Sequence, residues 1–224
     1  MLDNTSPAAE DYLKGLWHLA VEEGAADGLV STTAIATRLD VSAASATNML
    51  KRLDGMGLVG YLPYRGASLT DAGCKVALEV IRHHRLLETY LAEALGVPWD
   101  QVHDEAEVLE HVLSEGLEDR IASKLGDPTV DPHGHPIPTK DGSMPSVSTR
   151  PLWEVGDGER VVVARVPDHQ PETLRWLDSI AVRPGAKVEV TGRGPMEGPL
   201  FVHVDGIGEP QALSRALAES IWVS

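Results

Sequence analysis

The stretch STTAIATRLDVSAASATNMLKRLDGMGLVGYLPYRGASLT, residues 31–70, decides the fold. Ser31 stands where an N-cap would open a short helix ending near Leu39. Asp40, Val41 and Ser42 make a tight turn, and a longer helix follows from about Ala43 to Met56, stopped by Gly57 at the C′ position. Leu58 to Leu62 reads as a strand, Pro63 to Gly66 as a turn and Ala67 to Leu69 as the returning strand. Helix, turn, helix and hairpin in this order make a winged helix-turn-helix, whose second helix enters the major groove with the side chains at its start near base edges. That start carries Ser42, Ala44, Ser45, Thr47 and Asn48, small groups that can approach bases closely. Thr32, Thr33, Lys51 and Arg52 are candidates for phosphate contacts, and Tyr64 and Arg65 occupy the tip of the wing. A helix that served only packing would need no such polar face, so the expected partner is double-stranded DNA.

Working outward, Ala9 to Ala20 repeats apolar residues at helical spacing. On the other side, Thr70 can cap a long helix through Val76, Val80, Ile81, Leu86, Leu87 and Leu91, broken at Gly96-Val97-Pro98. A further helical stretch spans about 100–125, with a break near Ser114-Glu115-Gly116 left open. From Asp127 to Leu152 Pro, Gly, Asp and Ser dominate without a hydrophobic period, which reads as an irregular linker. Beyond Trp153 short alternating runs (161–166, 187–190, 200–204) separated by Gly and Pro predict a small β-barrel, with a short helix at 174–177. The expected class is α+β: a winged helix at 1–74, a helical domain at 75–127, a linker at 128–152 and a barrel at 153–224.

Composition narrows the function. A net charge of −15 over 224 residues argues against a general polyanion binder. Charge is local, however: from Ser42 to Gly66, Lys51, Arg52 and Arg65 oppose only Asp54. No apolar run reaches the ~18 residues of a membrane span, and the first ten residues lack the pattern of a signal peptide. Cys74 is the lone cysteine, which excludes an internal disulfide and fits a reducing cytoplasm.

The densest donor cluster is HDEAEVLEH, residues 103–111. On a continuous helix His103, Glu107, Glu110 and His111 share one face, and they would repel one another unless a cation joined them. His84 and Glu88, one turn apart, repeat the pattern upstream. A solvated acidic face would look similar, but Val108, Leu109, Val112 and Leu113 suggest a face close to a core. Glu107-x-x-Glu110-His111 also resembles an inverted zinc-peptidase motif, but Glu107 replaces its first His and nothing indicates a substrate cleft. A metal-dependent hydrolase is thus the weaker reading, and neither an enzyme nor a small-molecule substrate is expected.

With Glu10-Asp11-Tyr12-Leu13, Arg82 to Glu88, His103 to His111 and Asp131-Pro132-His133-Gly134-His135-Pro136-Ile137-Pro138, the chain resembles the diphtheria toxin repressor family, and more closely its manganese transport regulator branch. The resemblance covers nearly the whole length. It implies a winged helix, a helical dimerisation domain and an SH3-like β-barrel, in a homodimeric repressor that binds operator DNA when metal-loaded and controls metal uptake genes. It places a primary metal site at Asp11, Glu107, Glu110 and His111. An ancillary site would use His84, Glu88 and His103 with barrel ligands, His169 and Glu172 or, one residue away, Asp168 or Gln170. Iron-sensing relatives carry Met at the position of Asp11 and Cys at that of Glu107. Two hard carboxylates there favour Mn²⁺ over Fe²⁺, with two ions per subunit; an iron-responsive repressor is the alternative. Some manganese-sensing relatives have Glu where this chain has Lys14, a residue that cannot ligate while protonated.

Overall fold

A computed structural model describes residues 5–22, 24, 28–168, 170–196 and 198–224. It falls into two compact units, one comprising the chain up to His83 with Glu110–Val112 and Pro138–Met144, the other His84–Leu109, Leu113–Ile137 and Pro145–Ser224. Helix α4 (Asp71–Leu95) begins in the first and ends in the second.

In the first unit α1 (Pro7–Trp17) runs into a π-helical turn, His18–Glu22, and is followed by α2 (Thr32–Arg38), α3 (Ala43–Gly55) and the hairpin β1 (Val59–Leu62) and β2 (Gly66–Leu69). Side-chain caps set the helix starts: Ser31 accepts from the Ala34 amide, Ser42 from Ser45 and Thr70 from Gly73, each at 3.1 Å. Gly57 ends α3 in the left-handed region, at φ +73°. The hairpin is anchored where Val30 and Ala67 exchange two backbone hydrogen bonds of 2.8 Å. Gly66 is required there, because at φ +127° a Cβ would stand 2.1 Å from the Val30 carbonyl oxygen. Leu13, Leu16, Ile35, Leu50, Leu53 and Ile81 fill the core, each contributing about 1.5–3 kcal/mol by leaving water.

The second unit continues α4 and adds α5 (Val102–Leu109) and α6 (Glu115–Lys124), joined by Leu86, Leu87, Ala106, Ile121 and Ile137. Its C-terminal part has β3 (Arg150–Pro151), β4 (Arg160–Arg165), α7 (Pro171–Ser179), β5 (Lys187–Arg193), β6 (Leu200–Val204), β7 (Gln211–Leu213), α8 (Arg215–Ser220) and β8 (Trp222–Val223). The strands form one antiparallel sheet in the order β3-β8-β4-β5-β6-β7. Alternation turns Val161, Val163, Val188, Val190, Leu200, Val202 and Val204 to one core, as the period-2 pattern predicts.

Three local expectations need correction. The stretch 100–125 does break before Glu115, but α5 already ends at Leu109, so Glu110 and His111 lie in the turn after it and the single donor face of His103, Glu107, Glu110 and His111 does not exist. Buried His83 explains part of the break: its Nδ1 lies 3.1 Å from the Glu110 carbonyl oxygen, the place a helical amide would take. Val108 and Val112 do not adjoin a core but are 73% and 76% exposed; of the four apolar neighbours only Leu113 packs inward. The stretch at 127–152 lacks long elements, yet Asp131, His133 and Ile137 are buried. There the Asp131 Oδ1 accepts from the amides of His133 (2.8 Å) and His135 (3.0 Å), so a side chain replaces the ladder that regular structure would supply.

Candidate metal centres and nucleic-acid interface

In the first unit α1 and the turn after α5 bring Asp11, Glu110 and His111 together, with one donor atom of each within 4.8 Å of the others. His111 Nε2 lies 3.0 Å from Asp11 Oδ1 and 3.5 Å from Glu110 Oε1. Two ligands ~2.1 Å from one ion and at right angles to each other stand about 3 Å apart, so this spacing suits a common cation. The other imidazole nitrogen is held by a residue the sequence reading passed over: His111 Nδ1 is 2.6 Å from Glu10 Oε2, and Glu10 accepts in turn from the Thr5 hydroxyl. A histidine that gives Nδ1–H to a carboxylate presents Nε2 as the ligand, the usual outer support of a metal-bound imidazole.

Two cations of the chain itself occupy this cluster. Lys14 Nζ donates to both oxygens of the fully buried Glu110, at 2.8 and 2.9 Å. His111 is raised to about 9, first by its hydrogen bond to Asp11, against burial, and further by Glu10 and the charges of Glu110 and Asp11. The protein alone thus sets an ammonium and an imidazolium against the three carboxylates Glu10, Asp11 and Glu110.

In the second unit α4 and α5 bring His84, Glu88 and His103 together. His84 Nε2 is 3.1 Å from both Glu88 Oε1 and His103 Nδ1, and His103 Nδ1 is 3.4 Å from the same oxygen. These are again the edges of a coordination shell. Burial pushes the Glu88 carboxyl up, but the His84 charge, hydrogen bonds from His103 and His84, and the charge of His133 prevail and hold it well below the carboxylate range. Glu107 Oε1 stands 3.8 Å from both His84 Nδ1 and His103 Nε2. So Glu107, grouped with Asp11 by the resemblance, has these two histidines as neighbours within its own unit.

Of the barrel candidates, Glu172 is exposed on α7 and joins no donor cluster among the described residues, while His169 lies outside the described residues. Gln170 is exposed and accepts from the Thr173 hydroxyl. Asp168 instead faces His135, with Oδ2 3.5 Å from Nδ1. The Cys74 thiol is pushed up by burial and by Asp71, away from the thiolate that a metal would need.

On α3, Ser42, Ala44, Ser45, Asn48, Lys51 and Arg52 are exposed and Thr47 is half-buried; on α2, Thr33 is exposed and Thr32 half-buried. Several hydroxyls are used locally: Ser42 and Ser45 bond each other at 2.9 Å, and Thr47 donates to the Ala43 carbonyl at 2.8 Å. Asn48, Lys51 and Arg52 are therefore the long side chains of that face. Tyr64 and Arg65 stand exposed at the wing tip, with Tyr64 at φ +64°, an uncommon and strained setting for an aromatic residue.

Family models match three consecutive segments: the iron dependent repressor N-terminal DNA binding domain over 4–67, the iron dependent repressor metal binding and dimerisation domain over 70–139, and a FeoA domain over 150–224. The chain is 32% identical over 197 residues to the iron-dependent repressor IdeR of Mycobacterium tuberculosis, covering 81% of this chain and 82% of that protein. It is 36% identical over 195 residues to the diphtheria toxin repressor of Corynebacterium diphtheriae, covering 82% and 84%. Among solved structures, a manganese-dependent transcriptional repressor in complex with manganese superposes with a TM-score of 0.87 at 42% identity, covering 96% of this chain and 98% of that one. ScaR with bound Zn²⁺ superposes with a TM-score of 0.80 at 30% identity, covering 96% and 98%.

Proposed function

The chain belongs to the iron dependent repressor family, and from that premise we propose that it represses transcription in response to Mn²⁺, binding operator DNA as a homodimer and controlling metal uptake genes. The observation that carries the reading is the cluster of Asp11, Glu110 and His111, in which a helix of the DNA-binding segment meets the turn that follows α5. A bound divalent ion supplies positive charge at the point where these three donors converge. Glu10 keeps the His111 ring turned so that Nε2 faces Asp11 and Glu110. Lys14 holds Glu110 in the ion's absence and yields it on loading, which leaves room for one ion here rather than a pair. Loading fixes α1 against residues 110–112, and DNA affinity rises if that arrangement is the DNA-competent one. Moving such an equilibrium from mostly off to mostly on takes roughly 5 kcal/mol of differential binding.

Oxygen and imidazole donors alone, at Asp11, Glu110 and His111 and again at His84, Glu88, His103 and Glu107, support Mn²⁺ as the ion and a second ion at the latter cluster. The exposed Val108, Leu109 and Leu117 of α5 and α6 support a homodimer, since apolar side chains left in water mark contact surfaces. Asn48, Lys51, Arg52 and Arg65 would meet DNA. The relatives named for iron favour Fe²⁺ as the second reading.

One assay separates these readings: binding of the protein to its own promoter region, by fluorescence anisotropy, in chelator and then in buffered Mn²⁺, Fe²⁺ or Zn²⁺. Tight binding at the lowest free Mn²⁺ is expected. Equal binding in chelator would remove the metal switch, and a lower threshold for Fe²⁺ would transfer the assignment to iron.

A further inference from the structure

Helices α4 and α5 carry the donors of the second cluster, His84 and Glu88 on one, His103 and Glu107 on the other, and residues 96–101 join them. This link is tightly folded. Gly96, at φ +69°, ends α4 while the Val97 amide reaches back to the Leu91 carbonyl at 3.0 Å. The Gln101 amide then closes a turn on the Pro98 carbonyl at 2.8 Å. Helix α5 opens at the fully buried Val102, so only Asp100, Gln101 and Val102 separate Trp99 from His103.

Trp99 is where the barrel takes hold of this link. It packs against the barrel core, which contains Leu174, Leu177 and Val182. Its ring stacks with that of His133, centroids 5.6 Å apart and planes 25° from parallel, and the Arg183 guanidinium lies 4.9 Å from its centroid. Its carbonyl accepts from His133 Nε2 at 2.8 Å. The next residue, Asp100, is buried and accepts from Arg175 of α7 at 3.0 Å. Arg175 and Arg183 are both more than half exposed, so their charges contribute little alone, and the burial of Trp99 supplies most of the hold.

A residue that served only to fasten the barrel could stand on any exposed face of the helices. Trp99 stands instead between the two donor-bearing helices, where a displacement of the link carries His103 away from His84 and Glu88. Those donors are closely matched: His84 Nε2 is 3.1 Å from His103 Nδ1, and both lie within 3.4 Å of Glu88 Oε1. Metal ligands must be held to within about 0.5 Å of their working geometry. We propose that Trp99 is a positioning residue for the second metal cluster: seated against the barrel, it fixes where α5 begins and so holds His103 beside His84 and Glu88. The barrel thereby sets the affinity of that cluster through the link. This inference rests on the second-ion reading above, and the test separates the two.

Mn²⁺ binding to the full chain is followed by isothermal titration, and His103→Ala, which removes a ligand, assigns the step that belongs to the second cluster. Trp99→Ala is expected to weaken that step about tenfold, the lower end of what an outer support is worth to a metal site, and to leave the step at Asp11, Glu110 and His111 unchanged. Arg175→Glu sets a like charge against Asp100 and should weaken the same step about threefold, with Arg175→Lys matching the parent. In chelator, amide hydrogen exchange over residues 100–105 should quicken in Trp99→Ala. An unchanged second step or unchanged exchange in folded Trp99→Ala, or equal weakening of both steps, overturns the positioning role alone. A parent whose Mn²⁺ steps all survive His103→Ala overturns it together with the second-ion reading. If Trp99→Ala fails to fold, the contrast between Arg175→Glu and Arg175→Lys decides.

Discussion

Lys14→Met removes the ammonium that grips both oxygens of Glu110 and leaves a carboxylate with no solvent exposure beside the His111 imidazole, at 3.5 Å. Breaking a buried pair by deleting one member costs about 3–5 kcal/mol. Lys14 is 13% exposed and the imidazolium remains, so about 2–3 kcal/mol is the expected loss in the metal-free protein. For a chain of this size each kcal/mol moves Tm by about 2–4 °C, which gives a fall of roughly 4–12 °C in chelator. With Mn²⁺ bound Glu110 is neutralised by the ion, and the variant should melt close to the parent. The thermodynamic cycle then requires the variant to bind Mn²⁺ about 30- to 150-fold more tightly. Differential scanning calorimetry in chelator and in Mn²⁺, with isothermal titration of the ion, reads all three quantities. An unchanged metal-free Tm, or weaker Mn²⁺ binding, would refute the idea that Lys14 stands in for the metal.

His111 adds a pH dependence. Its pKa is raised to about 9, so its bonds to Asp11 and Glu10 stabilise the metal-free protein fully below about pH 6.5, and that contribution is lost as pH rises through 9. The ion must displace this proton, so Mn²⁺ affinity should climb about tenfold per pH unit up to about pH 9, with about one proton released per ion at the primary cluster near pH 7.5. Calorimetry in buffers of different ionisation enthalpy measures that release; none would argue that His111 is not a ligand. Gly134→Ala forces a Cβ to within 2.0 Å of the Ala164 carbonyl oxygen at φ +91°, and should lower stability by at least about 2 kcal/mol in a denaturant melt, where an unchanged midpoint would mean the loop is not held against the strand. Arg65→Ala should weaken promoter binding at every sequence and reduce the slope of log affinity against log salt by about 1, while Mn²⁺ binding stays the same; a salt slope equal to the parent's would remove the wing from the interface.

What the sequence reveals is what local chemistry decides. Ser31, Ser42, Thr70 and Gly57 mark their helix ends because a cap needs only its neighbours, and the alternating valines of β4 and β5 declare a half-buried sheet. Strands β7 and β8 and helix α8 are too short, at 3, 2 and 6 residues, to show a period. The donors of 103–111 are visible as donors, but their grouping is not. Spacing places them on one helix face, whereas the Glu110 carbonyl accepts from His83, 27 residues upstream, and the helix ends before it. The bonds of Glu10 to His111 and of Lys14 to Glu110 are not legible for the same reason, since they depend on partners about a hundred residues away. The loop at 131–135 reads as linker because side-chain bonds, not backbone periodicity, order it; His and Asp crowded around a glycine were the signal available.

The most direct test of the central claim is the Mn²⁺ dependence of promoter binding by the parent and by Asp11→Ala. Asp11 is 40% exposed, so its loss should leave the fold intact while removing one ligand from the ion that joins α1 to the turn after α5. The account predicts no tight binding by either protein in chelator, and a midpoint for the variant at least tenfold higher in free Mn²⁺. Superimposable Mn²⁺ curves for the two proteins would contradict it.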